Sequence, residues 1–194
     1  MQDFFLWLST GFSHVCDLSA YDHIIFIILI GIPFPMTQWK DLLIRVTAFT
    51  AGHSLTLALG AFRIVNIPAT IVELLIVLTI LFSSILLILQ KEKSKQSGKV
   101  HYGILLFFGC IHGLGFSQFL RSMFGPNESI WLPLFSFNLG IELAQILVLL
   151  CVQIFCLFLT SMFRVKNKDL IFFTGSAILG IALLLFFERL HQVF

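Results

Sequence analysis

The chain has 194 residues, of which 58% are hydrophobic and only 11% are charged, and its mean hydropathy is +1.00. This composition excludes a soluble globular domain, and a net charge of +2 is too small to indicate nucleic-acid binding. The length suits about six membrane-spanning helices of about 20 residues each. We therefore predict an all-α integral membrane protein in which residues 1–194 form a single transmembrane domain.

Hydrophobic runs predict the spans in chain order. The spans cover about residues 21–36, 41–61, 68–90, 101–121, 131–160 and 169–188. Residues 4–13 are apolar but too short to cross a bilayer, which favours an interfacial or re-entrant segment. The N-terminal stretch lacks a basic region and a small-residue cleavage site, so we expect it to be mature sequence.

Basic residues predict how the helices are oriented. The loops after the first, third and fifth spans hold Lys40, Arg45, Lys91, Lys93, Lys95, Lys99, Arg164, Lys166 and Lys168. The opposite side holds only Arg63, Arg121 and Arg189. Because cytoplasmic loops are enriched in Lys and Arg, both termini are predicted to lie outside. We expect a multi-pass protein of the bacterial cytoplasmic (inner) membrane.

Seven ionisable residues lie in or beside the predicted spans, where each costs several kcal/mol unless it is paired, protonated or bound to an ion. They are His14, Asp22, His23, His53, Glu73, His112 and Glu142. The predicted orientation places all of them between the outer interface and the midplane. This common depth predicts one shared polar site that opens to the outside.

Imidazole and carboxylate ligands together suit Ni²⁺, Co²⁺, Zn²⁺, Fe²⁺ or Cu²⁺, whereas Mg²⁺ and Ca²⁺ prefer more oxygen atoms. We therefore predict that the seven residues bind a divalent transition-metal ion. Other polar residues are predicted to support these ligands through hydrogen bonds. They are Asp17, Thr50, Ser54, Asn138 and Gln145. Asn138, Glu142 and Gln145 form one polar stripe on the fifth span, since they recur at helical spacing.

Small residues predict close helix contacts. Gly109 and Gly113 form a GxxxG pair beside His112, and such pairs let another helix approach closely. Ser176 and Gly180 form a second small-residue face. Either face can pack within one chain or between chains, so a homo-oligomer is one of the arrangements left open.

Five segments resemble the HupE/UreJ family of membrane proteins associated with hydrogenase and urease maturation. They are GFSHVCDLSAYDHIIF (11–26), TAFTAGHSLTLAL (47–59), IPATIVELLIVLTI (67–80), FFGCIHGLGFS (107–117) and FNLGIELAQ (137–145). The resemblance covers nearly the whole chain and implies a permease for nickel or a related divalent metal. It carries the histidine and acidic positions of that family onto the seven residues named above.

Three functions remain open at this point. A metal permease is favoured by the resemblance, but the inner half of the predicted bundle offers few polar groups for a path. An intramembrane metalloenzyme with the same site would not need that path, although nothing in the sequence names a substrate. A non-transporting maturation partner that binds metal is the third alternative. From the residues alone the permease and the enzyme stand close, and the resemblance makes a transporter the expectation.

Overall fold

The computed structural model describes residues 2–17, 21–89, 99–123 and 129–193. The described chain is helical apart from short connections, with α1 (Gln2–Cys16), α2 (Asp22–Gly31), α3 (Trp39–Ala61), α4 (Ala69–Leu89), α5 (Lys99–Ser122), α6 (Trp131–Met162) and α7 (Asn167–Val193). Helices α3 to α7 are each long and apolar enough to cross a membrane. These helices confirm the predicted all-α membrane bundle. The loop residues Lys91, Lys93 and Lys95 lie outside the described residues.

The first predicted span contains a much shorter helix than the sequence suggested. Helix α2 has ten residues, which corresponds to about 15 Å, or half the hydrocarbon thickness of a bilayer. Pro33 and Pro35 follow directly, and proline disfavours continued helix because it lacks an N–H group. The Nε2 atom of Gln153 donates a hydrogen bond to the carbonyl of Gly31 over 2.8 Å. A side chain of α6 thus satisfies a carbonyl at the end of α2.

Helices α3 and α5 pack in parallel along a seam of glycines. A methyl group at Gly109 would overlap the carbonyl of Phe49, and one at Gly113 would overlap the carbonyl of His53. Both positions therefore require glycine for the backbones to approach this closely. The small-residue contact at these two glycines lies within the chain. At Gly180, by contrast, an added Cβ would meet no described atom within 4 Å.

Helix α1 contains the apolar segment that was expected at the membrane interface or as a re-entrant stretch. It packs antiparallel to the first half of α6 through a second pair of glycines. A Cβ at Gly11 would overlap the carbonyl of Phe137, and one at Gly140 would overlap the carbonyl of Leu8. This close contact fixes α1 against the bundle and brings His14, near its end, to the other helices.

Candidate metal centre

Four histidines from four different helices meet in one buried cluster. They are His14 of α1, His23 of α2, His53 of α3 and His112 of α5. The ring centroid of His23 lies 4.7 Å from that of His14, 5.9 Å from that of His53 and 5.5 Å from that of His112. His23, His53 and His112 are 4%, 0% and 1% exposed. The structure thus brings together the four histidines predicted to share a site, and we call them the histidine cluster.

Asp22 orients the central histidine. Its Oδ1 atom accepts a hydrogen bond from the backbone N–H of His23 over 3.0 Å and lies 3.3 Å from Nδ1 of the same residue. A carboxylate in this position favours the tautomer with the proton on Nδ1. The lone pair of His23 is then on Nε2, which is buried without a hydrogen-bond partner in the described structure.

Thr79 of α4 sets the tautomer of His112 in the same way. The Thr79 hydroxyl donates to the carbonyl of Ile76 over 2.7 Å and lies 3.0 Å from Nε2 of His112. With its single proton donated to Ile76, the hydroxyl accepts from His112, which favours the tautomer with the proton on Nε2. The lone pair is left on Nδ1, which is buried and has no hydrogen-bond partner among the described atoms.

The remaining two histidines also present unsatisfied nitrogens. Both ring nitrogens of His53 and the Nε2 atom of His14 are buried without a partner in the part of the chain that the structure describes. A neutral imidazole has one donor and one acceptor, and leaving such groups unpaired costs about 1–3 kcal/mol each. The cluster therefore has the polar capacity for an additional ligand at its centre.

The spacing of the rings fits a shared metal ion, although the rings are not turned toward one. Imidazole nitrogens about 2.1 Å from one ion place the ring centroids about 5 Å apart. The observed centroids are separated by 4.7 to 6.3 Å among the pairs that contact one another. No three His, Cys, Asp or Glu side chains in the described ranges have a metal-binding arrangement as they stand. Binding would thus require the rings to rotate within an otherwise suitable cluster.

Two of the predicted ligands have partners elsewhere. Oε2 of Glu73 lies 3.1 Å from Nη1 of Arg189, in a pair that is partly exposed. Oε1 of Glu142 accepts a hydrogen bond from the Thr47 hydroxyl over 2.6 Å. In the described chain neither carboxylate is bonded to the histidine cluster.

The polar stripe of α6 binds α3. The Thr50 hydroxyl donates to Oε1 of Gln145, and the Ser54 hydroxyl donates to Oδ1 of Asn138, each over 2.6 Å. With the bond to Glu142, these contacts form a ladder between the two helices. The ladder holds α3, and with it His53, in place, so its support for the cluster is indirect.

An open surface pocket borders the histidine cluster at His14. It has a volume of about 470 Å³ and is lined by residues that include His14, Asp17 and Phe116. The Phe116 ring lies 4.2 Å from the His14 ring. The predicted supporting residue Asp17 therefore lines the same pocket as His14, and we call this space the entrance cavity.

Thr79 is a candidate functional residue that was not predicted from the sequence. It lies in the strongly apolar run of α4, where a single threonine gives little signal. The one hint in the sequence is its hydroxyl, which needs a hydrogen-bond partner inside the membrane. A backbone carbonyl of the same helix can be that partner, so the hydroxyl alone does not indicate a contact with another helix. The contact with His112 depends on how α4 packs against α5, which the sequence of α4 alone does not reveal.

Together, the fold and the cluster define a multi-pass helical membrane protein with a buried group of imidazoles that the entrance cavity borders at His14. The chain belongs to the HupE/UreJ family, since a family model described as HupE / UreJ protein matches residues 1–189. No curated protein and no solved structure matches the chain. Membership in this family implies a metal-related accessory or permease role in a membrane.

Proposed function

We propose that the protein is a permease for a divalent transition-metal ion, with nickel as the cargo that the family favours. In this proposal the histidine cluster binds the ion and Asp22 holds His23 in its ligating tautomer. The observation that carries the proposal is the set of buried, unpartnered ring nitrogens from four helices. An isolated buried histidine normally finds a hydrogen-bond partner, and four unsatisfied rings in contact favour a common ligand.

The entrance cavity supplies the first part of a path. A hydrated cation would reach Asp17 and His14 first, where a carboxylate compensates the loss of water. It would then pass to His23, which contacts each of the other three histidines of the cluster. Imidazole nitrogens replace the water ligands there, and the neutral form of each ring is required for binding.

A second cavity offers space on the opposite side of the cluster, which a transport path needs and an enzyme open to one side does not. It has a volume of about 60 Å³, and its mostly apolar lining includes Arg45, Ser83 and His101. Few polar groups were predicted in this half of the bundle. Ser83 and His101 supply hydrogen-bonding groups there. The positive charge of Arg45, which lies over the rings of Phe34 and Tyr102, would by contrast repel a passing cation.

Metal analysis of the purified protein tests the site. Wild-type protein loaded with Ni²⁺ should retain near-stoichiometric metal after desalting, and His112→Ala should lose most of it. His191→Ala is the matched control, because His191 is exposed near the end of α7. Equal metal in His112→Ala and wild type would refute the site.

Flux through proteoliposomes tests the function of that site. Wild-type protein should carry Ni²⁺ across the bilayer, and His112→Ala should carry much less. Bound metal without flux would instead support the maturation partner, which holds an ion and does not move it. The permease proposal would then be wrong although the metal site was correct.

A further inference from the structure

Three histidines of the cluster each have a phenylalanine one helical turn away on the same helix face. The pairs are His23 with Phe26 on α2, His53 with Phe49 on α3, and His112 with Phe108 on α5. In α2 the phenylalanine follows the histidine, whereas in α3 and α5 it precedes it. Ring contacts pair His23 with His53 and Phe26 with Phe49, so α2 is antiparallel to α3. All three phenylalanines therefore lie on the same side of the histidines.

The three phenylalanines form a continuous layer. The Phe26 ring lies 4.7 Å from that of Phe49 and 6.0 Å from that of Phe108. The layer also contacts the histidine cluster, because the rings of Phe26 and Phe49 lie 5.2 and 5.0 Å from the His112 ring. Phe26 and Phe49 are only 1% and 2% exposed. We call these three residues the phenylalanine layer.

The second cavity lies directly beyond this layer. Phe26 and Phe108 belong to its lining, together with residues one or two turns further along the same helices, such as Ile30, Arg45 and Leu105. The order along the bundle is therefore entrance cavity, histidine cluster, phenylalanine layer and second cavity. The layer stands between two spaces that both contain polar groups.

We propose that the phenylalanine layer is the gate of the permeation path, an inference that rests on the proposed permease function. An apolar constriction excludes water, and a cation that must shed its hydration there meets a large barrier. The layer blocks ions while the histidines hold them. Transport then requires the Phe26 ring to leave the contact with Phe49, by rotation of the ring or by movement of α2.

Cysteine labelling tests the barrier without relying on flux. Ser83 lines the second cavity, so Ser83→Cys reports access to it in a background whose native cysteines are replaced by serine. A membrane-impermeant thiol reagent is added on the side of the entrance cavity. We expect slow labelling with the layer intact and a several-fold faster rate when Phe26→Ala is added. Equal rates in the two proteins would overturn the gate.

Control variants separate the gate from general loosening of the fold. Phe187→Ala removes a ring that is 64% exposed on α7 and should leave labelling slow. Phe49→Ala opens the same layer from α3 and should accelerate labelling as Phe26→Ala does. It replaces Phe26→Ala as the test if that variant does not purify as a monodisperse protein. Acceleration by Phe187→Ala to the same extent would overturn the proposal.

Metal binding and flux distinguish failure of the gate from failure of the permease. With a correct gate, Phe26→Ala retains bound Ni²⁺ and gives faster Ni²⁺ flux than wild type. Retained metal with unchanged flux and unchanged labelling would refute the gate alone. Absence of bound metal from wild-type protein would refute the proposed function, and labelling of Ser83→Cys would still decide whether the layer is a barrier.

Discussion

Replacing Thr79 with valine should weaken metal binding although Thr79 is not proposed to touch the metal. Valine has nearly the same shape as threonine but cannot accept the hydrogen bond from Nε2 of His112, which spans 3.0 Å. The buried N–H would then be unpaired, at a cost of about 1–3 kcal/mol. Neither ring nitrogen then has a hydrogen-bond partner in the described structure, so nothing holds the proton on Nε2 and the lone pair on Nδ1 is no longer fixed toward the cluster.

The size of the effect follows from the loss of this outer hydrogen-bond partner. Removing an outer partner of a metal-ligating histidine typically lowers metal affinity about 10- to 100-fold. This range corresponds to about 1.4–2.7 kcal/mol of binding free energy. Thr79→Ser retains the hydroxyl and should bind nearly as tightly as wild type.

Competition with a chelating dye in detergent measures the affinity, and Ser84→Ala is a suitable control. Ser84 is also a buried hydroxyl of α4, but it donates to the carbonyl of Leu81 in its own helix. Its loss should leave Ni²⁺ affinity unchanged. Unaltered Ni²⁺ affinity in a folded Thr79→Val protein would refute the assigned tautomer and its role.

Two further predictions concern the packing and the carboxylates outside the cluster. Gly113→Ala should lower the free energy of unfolding by about 1–3 kcal/mol, because the added methyl group overlaps the carbonyl of His53. Thermal unfolding should show a lower midpoint for this variant. Gly103→Ala, which adds a methyl group in open space on the same helix, should leave the midpoint unchanged. Glu73→Gln and Glu142→Gln should both retain bound Ni²⁺, since their partners lie outside the histidine cluster. Loss of metal in either variant, measured by elemental analysis, would return that carboxylate to the ligand set.

The sequence was most informative where chemistry and environment conflict. Histidines and carboxylates in apolar runs are costly, so His53 and His112 could be selected from single segments without knowledge of the fold. The sequence was less informative about partners. Nothing within a span shows that Glu73 pairs with Arg189, which lies more than a hundred residues further along the chain. That pairing depends on how α4 packs against α7.

Helix length was also difficult to predict for α2. A hydropathy window responds to apolar composition, and the residues from Ile24 to Phe34 are apolar whether or not they are helical. The position where the helix ends depends instead on local backbone chemistry, namely the prolines and the cap supplied by Gln153. The close contact of α1 with α6 was missed for a related reason, because Gly11 and Gly140 indicate a contact only when considered together.

The glycine seam between α3 and α5 divides the proposed metal ligands between two structural units. His53 and His112 are carried by helices whose backbones touch, so these two ligands move as one body. His23 belongs to a ten-residue helix that contacts these two helices through the rings of His23 and Phe26. A bound ion would span the boundary between them, so its affinity would depend on the separation of the two units. The bound ion would then hold α2 against the paired helices α3 and α5, and its release would accompany any movement that pulls α2 away from them.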